Sequence, residues 1–131
     1  MATLRRQPER AEQANIVRLL RSLGATVYVL GTTRRKGDYH GTMQTPGLPD
    51  LLAFVQCPDV GAVELIAIEV KAPGGRLRSE QRVFGDLCAM ADVDHIVGGL
   101  DAVVDWLIMC GVLRDRHTRA YTESSVKVSK P

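Results

Sequence analysis

Apolar residues along the first part of the chain recur at helical spacing. Ile16, Leu19, Leu20 and Leu23 fall on one stripe of a helix expected to open near Pro8 and to stop at Gly24. The pattern then shortens. Thr26 to Leu30 and Leu51 to Val55 predict two strands, and Glu64 to Lys71 predicts a third. In the third, Ile66, Ile68 and Val70 alternate with Leu65, Ala67, Glu69 and Lys71, so both faces are apolar until its C-terminal end, as in a central strand covered on each side. Ser79 is placed to cap a helix running to about Met90, with Val83, Phe84, Leu87 and Met90 as its apolar side. His95 to Val97 predicts a short strand, and Asp101 is placed to cap a last helix from Ala102 to Cys110. The order implies an α/β domain with one mixed central sheet flanked by helices.

Between the first two strands, Gly31 to Pro49 is rich in Gly, Thr, Arg, Lys and Pro and reads as a long loop, a length that in compact domains usually serves function. The turn through Pro58, Asp59 and Gly61 separates the second and third strands. Residues 114–131 are polar and aperiodic, so the expected organisation is one domain over 1–113 with a polar C-terminal tail. At 131 residues the chain has room for a single core, and 45% apolar against 24% charged residues excludes a disordered or fibrous class. Cys57, Cys88 and Cys110, odd in number and widely spaced, read as buried free thiols. No apolar run follows the start, as a signal peptide would require, and Val103 to Val112 is too short for a bilayer span of about 20 helical residues. A reducing cytoplasm is the expected compartment.

A formal charge of +2 does not by itself point to a nucleic-acid partner. Its distribution says more, because basic residues cluster at Arg5, Arg6 and Arg10, at Arg34, Arg35 and Lys36, at Arg76, Arg78 and Arg82, and at Arg114, Arg116 and Arg119. The chemistry-bearing residues lie at one expected sheet edge. Asp50 follows Pro49 and precedes a strand, while Glu69 and Lys71, two apart on a strand, leave the same face about 6 to 7 Å from each other. Two carboxylates and the backbone carbonyl of Val70 make a half-site for a hard cation such as Mg²⁺, and Lys71 beside it could hold a water or stabilise a phosphorane. Taken singly, Asp after Pro makes an ordinary turn and Glu-x-Lys an ordinary surface ion pair; their order and context carry the case.

Gly47-Leu48-Pro49-Asp50-Leu51-Leu52, then Ile68-Glu69-Val70-Lys71, then Gly75-Arg76-Leu77 and Ser79-Glu80-Gln81 resemble the PD-(D/E)xK nuclease superfamily, and within it the VRR-NUC family, over about Glu9 to Trp106. The resemblance implies a restriction-endonuclease-like αβββαβ core, with Asp50 and Glu69 as metal ligands, Lys71 as the catalytic lysine and Gln81 completing the site from its helix. It also implies an acidic residue on the first helix. Glu9, with Gln13 one turn on, matches best and would join the metal shell through water; Glu12 is the rival. Mg²⁺, with Mn²⁺ as a substitute, is the expected cofactor, and no organic cofactor is implied.

The expected activity is hydrolysis of DNA phosphodiesters, with branched or four-way junction DNA as the substrate suggested by compact relatives, in a bacterial or phage-infected cell engaged in repair or recombination. Arg34, Arg35, Lys36 and His40 in the loop, and Arg76 and Arg78 nearer the metal, are the expected DNA contacts. A homodimer would present two active sites, and Val104, Trp106, Leu107 and Met109 offer an apolar surface, though core packing is their expected main use. Two other readings stay open: a sequence-specific restriction-type endonuclease, for which no base-reading element stands out, and a DNA-binding module that kept the fold without cutting.

Overall fold

The computed structural model describes residues 2–30 and 45–114, with side chains from residue 9 onward. The elements are α1 (Ala2–Ser22), β1 (Thr26–Val29), β2 (Leu51–Cys57), β3 (Ala62–Val70), α2 (Ser79–Met90), β4 (Asp94–Gly98) and α3 (Leu100–Met109). The expected αβββαβ order is therefore present, with α3 closing it. The strands form one mixed sheet in the order β1-β2-β3-β4; β1–β2 and β2–β3 pair antiparallel, while β3–β4, joined through α2, are parallel.

Strand alternation divides the sheet into two faces. Val27, Leu51, Ala53, Val55, Ile66, Ile68, Val70 and Ile96 bury one face together with Ile16 and Leu20 of α1 and Val103, Trp106 and Leu107 of α3. This is the core. The stripe expected on α1 is thus the one it buries, with Leu19 and Leu23 packed at its margin. Gly24, at φ +85°, ends the helix: its N–H donates to the Arg21 carbonyl and that of Ala25 to the Leu20 carbonyl, a left-handed C-cap that glycine adopts without strain. Trp106, buried in α3, donates its indole N–H to Asp94 at 2.7 Å, which satisfies the one polar group its ring brings into the core. Cys57, Cys88 and Cys110 are buried free thiols. Burial, with Cys110 alongside, pushes the Cys57 thiol up to about 12, so it packs as a neutral apolar group.

Several boundaries differ from the expectations. α1 starts at Ala2, so Pro8 lies inside the helix; a proline there removes one ladder donor, and the bonds on either side carry the helix through. Arg78, not Ser79, is the N-cap of α2, and Ser79 is its first helical residue. Gly99, not Asp101, is the N-cap of α3; Leu100 N–H instead donates to the Glu12 carboxylate at 2.8 Å, a cap supplied from another helix. The largest difference is α2. Of the four residues expected on its apolar side, Val83, Leu87 and Met90 are 57%, 55% and 82% exposed and face outward, Phe84 alone turns to the sheet, and Cys88 is the helix's buried residue. α2 approaches the second sheet face through Gly85, where a Cβ would lie 2.8 Å from His95 Nδ1, and through Phe84, edge-on to the His95 ring at 5.7 Å. Burial there lowers the His95 pKa, favouring neutral imidazole. No helix among the described residues is long and apolar enough to cross a membrane.

Candidate active site

The antiparallel register brings the two acids together. Leu51 pairs with Ile68, so Asp50 and Glu69, one step further along each strand, are the next cross-strand neighbours on the same face. Two constraints hold Asp50. Pro49 before it is fully buried, and Leu30 N–H donates to the Asp50 carbonyl at 2.8 Å. Its side chain is aimed by Val70 N–H, which donates to Asp50 Oδ2 at 2.8 Å. Asp50 is therefore no free turn residue; it bridges the end of β1 to the end of β3.

Glu69 is only 4% exposed, and among the described residues its Oε1 has no hydrogen-bond partner. A charged carboxylate so placed is unfavourable without a positive partner. Its pKa is pushed up to about 8, by burial first and then by Asp50 through hydrogen bonding and through its charge, with Glu9 adding to the rise and Lys71 pulling the other way. The two carboxyls and the ammonium thus sense each other at one rim of the sheet. Lys71 lies just past the end of β3, where its N–H donates to the Gly98 carbonyl at 3.0 Å. The tight turn through Gly75 passes over its stem: a Cβ on Gly75 would lie 3.5 Å from both Cβ and Cδ of Lys71.

α1 supplies the third acid of the neighbourhood. Glu9 Oε1 accepts from Ala72 N–H at 3.1 Å, directly after Lys71, whereas Glu12 is turned to the start of α3. The structure therefore separates the two rivals: Glu9 belongs to the rim and Glu12 anchors α3, against which a Cβ on Gly99 would collide. That anchoring role was not visible in the sequence, because it joins residues 88 positions apart. Gln13 does not share the groove beside Lys71; it lines a second one between α1 and Val29 of β1. Gln81, expected to complete the site, spends its side-chain oxygen on Arg78 N–H at 2.7 Å, closing the first turn of α2. Arg76 and Arg78 are exposed on the β3–α2 connection, close to Lys71 in the chain. Arg34, Arg35, Lys36 and His40 lie outside the described residues.

Gly47 explains its own presence. Its φ is +95°, and a Cβ there would lie 2.6 Å from the backbone oxygen of Glu80, so the segment leading to Asp50 packs directly against the first turn of α2. Gly47→Ala is expected to destabilise the fold by at least about 1–2 kcal/mol from the left-handed backbone alone, with a further loss of activity as Asp50 shifts. Thermal unfolding checks this, and an unchanged Tm would contradict it.

A groove of about 730 Å³ opens beside Lys71, between the Pro73–Gly75 turn and the start of α3; Glu12 lines it, whereas Asp50 and Glu69 do not. Among the described residues no three or more His, Cys, Asp and Glu side chains group around a common metal position. The donor set is smaller: Asp50, Glu69 and the Val70 carbonyl. It still fits a hard divalent cation. The unpartnered Glu69 oxygen and the adjoining Asp50 carboxyl are all-oxygen donors whose mutual repulsion a cation relieves, and Mg²⁺ habitually takes one or two carboxylates and fills the rest of its sphere with water and phosphate oxygens. No protein-family model, curated protein or solved structure matches the chain.

Proposed function

We propose that this protein is a divalent-metal-dependent nuclease that hydrolyses DNA phosphodiesters, related to the VRR-NUC branch of the PD-(D/E)xK enzymes, with branched or junction DNA as its preferred substrate. One observation carries the reading: a nearly fully buried Glu69 with an unpartnered oxygen, set against Asp50 and sensing the charge of Lys71 at the rim of the sheet. A purely structural buried acid would have both oxygens satisfied, and here Oε1 has no partner among the described residues. The motif order and the αβββαβ arrangement support the same reading.

In this proposal Asp50, Glu69 and the Val70 carbonyl hold Mg²⁺ or Mn²⁺, and the cation when bound acidifies a water and neutralises charge on the phosphate. The protein's own groups do the rest. Val70 N–H fixes the Asp50 carboxylate so that it need not reorganise, and burial keeps bulk water from Glu69. Lys71 orients the attacking water or donates to a non-bridging phosphate oxygen as negative charge builds there. Glu9, tied to Ala72 N–H, holds the backbone just after Lys71 in place. Arg76 and Arg78 meet the phosphates flanking the cut. The test is a panel of labelled linear, single-stranded, flap and four-way junction DNAs with Mg²⁺ or Mn²⁺, run beside Lys71→Ala. Cutting of branched forms by the wild type alone supports the proposal; tight DNA binding without cleavage in either metal would leave a binding module instead.

The homodimer belongs to the same proposal. Trp106 and Leu107 of α3 are core residues, which removes most of the surface expected there, although Met109 is 80% exposed. The outward stripe Val83, Leu87 and Met90 of α2 is the exposed apolar patch on which a second copy would pack in this proposal. Leu87→Glu with Met90→Glu is expected to convert a dimer to a monomer in sedimentation; a wild-type chain monomeric at every concentration would remove the idea.

A further inference from the structure

Charge on α1 is segregated in a way that the catalytic rim does not explain. The helix carries two acids, Glu9 and Glu12, and both are turned inward onto backbone N–H groups, of Ala72 and Leu100. Its arginines in the described part, Arg10, Arg18 and Arg21, are turned outward. Together with Ala14 and Val17 they occupy positions 10, 14, 17, 18 and 21, one face at helical spacing, and they line a groove of about 640 Å³ whose other wall is Val29 of β1. No carboxylate lines this groove, and among the described residues none of the three guanidiniums is ion-paired. Their hydrogen bonds orient them without neutralising them: Arg18 Nη1 donates to Asn15 Oδ1 at 3.1 Å and Arg21 Nη2 to the Val27 carbonyl at 3.2 Å.

Resting on the nuclease reading, we infer that this arginine face is the track on which an arm of the DNA substrate lies, its phosphate backbone held by Arg10, Arg18 and Arg21. The groove meets the rim on both walls. On α1, Arg10 follows Glu9, which is bonded to Ala72 beside Lys71; on β1, Val29 precedes Leu30, whose N–H is bonded to Asp50. From Arg10 to Arg21 the helix rises about 16 Å, which matches roughly five base pairs at about 3.4 Å per step. A duplex following α1 therefore runs from the metal-binding acids outward, and it is gripped through phosphates, without reading sequence. The floor of Ala14, Val17 and Val29 is apolar, and Gln13 is the one neutral polar side chain in the lining. A narrow anion such as free phosphate needs one such site, whereas a row of three along one face suits a polyanion.

The experiment measures binding of a labelled 30-base-pair duplex of mixed sequence by fluorescence anisotropy across a salt series, in a Lys71→Ala background so that the probe survives. Arg10→Gln with Arg18→Gln leaves the Arg21–Val27 bond untouched, and thermal melts of both proteins confirm that the double variant folds. Neutralising one arginine that meets a phosphate lowers the slope of log K against log salt by about 0.9. The expected result for the double variant is therefore a slope shallower by roughly twice that amount, together with weaker binding at every salt concentration. A folded double variant with unchanged affinity and slope overturns the track. Cleavage by the protein with native Lys71 is scored on the same duplex and on a junction. If it cuts while the double variant binds normally, the track alone is wrong; if it neither binds nor cuts any DNA, the nuclease reading and the track fall together.

Discussion

Replacing Glu69 by Gln is expected to raise the stability of the metal-free protein at pH 8 while removing DNA cleavage. Glu69 is buried with an unpartnered oxygen against a second carboxyl, and its pKa is raised from 4.5 to about 8. A carboxyl whose pKa is raised by folding binds its proton more tightly in the native state. Its stabilising contribution is therefore full below about pH 4.5 and is lost as pH climbs through about 8. The amide of Gln mimics the protonated acid, keeps a donor for Asp50 and cannot ionise. The gap in Tm between variant and wild type should thus be small in acid, open between those two values, and level off above the upper one. At that plateau, relief of one buried unsatisfied group is on the order of 1–3 kcal/mol, or several degrees in Tm. Mg²⁺ should reverse the ranking, because it stabilises the wild type by binding the native carboxylate pair and has less to bind in the variant. Cleavage should fall by at least about a hundredfold, the scale of losing one preorganised charge at a reaction centre. Calorimetry with and without Mg²⁺ over the pH range tests this; a variant less stable than wild type at pH 8, or one that still cuts, would contradict the assignment of Glu69.

Lys71→Ala should lower cleavage by about 10² to 10³ while leaving the fold and most DNA affinity in place. The reason lies in timing. In the proposed reaction Lys71 would be beside the phosphate as charge builds on it, whereas ground-state affinity would come mainly from arginines elsewhere on the surface. A second signature separates this role from a merely structural one. Lys71 is the charge that draws the Glu69 pKa down, so its removal pushes that pKa higher, and the pH at which Mn²⁺ displaces the Glu69 proton should move upward. Metal titration followed by pH-dependent stability reads this shift independently of turnover. Loss of activity with no change in the pH dependence of metal binding would place Lys71 away from Glu69.

The exposed stripe on α2 shows where pattern reading stops. Val83, Leu87 and Met90 repeat at helical spacing as core residues do, and periodicity alone assigns them inward. The helix instead rests on Gly85, Phe84 and Cys88, because His95 leaves room only for a residue without a Cβ, and this rotates the apolar stripe into solvent. Capping went the same way. Ser79 and Asp101 have the residue chemistry of N-caps, but the cap of α3 comes from Glu12, far away in the chain, which no local pattern reveals. Gln81 is a site residue by the family resemblance alone, and its side-chain oxygen accepts from Arg78 N–H within its own helix.

What the sequence determined by itself is local in origin. Side-chain periodicity of two set β3 as a central strand, periodicity near 3.6 set the buried stripe of α1, and Gly24 set its end, because each depends on residues within a few positions. The candidacy of Asp50, Glu69 and Lys71 was legible for the same reason, two of them sharing one strand end and the third opening another. That Asp50 lies against Glu69, that Glu9 and not Glu12 reaches the rim, and that one Glu69 oxygen has no partner were decided only by the tertiary structure. Cross-strand register and helix docking join residues dozens of positions apart, and the free energy of a buried charge depends on everything packed around it.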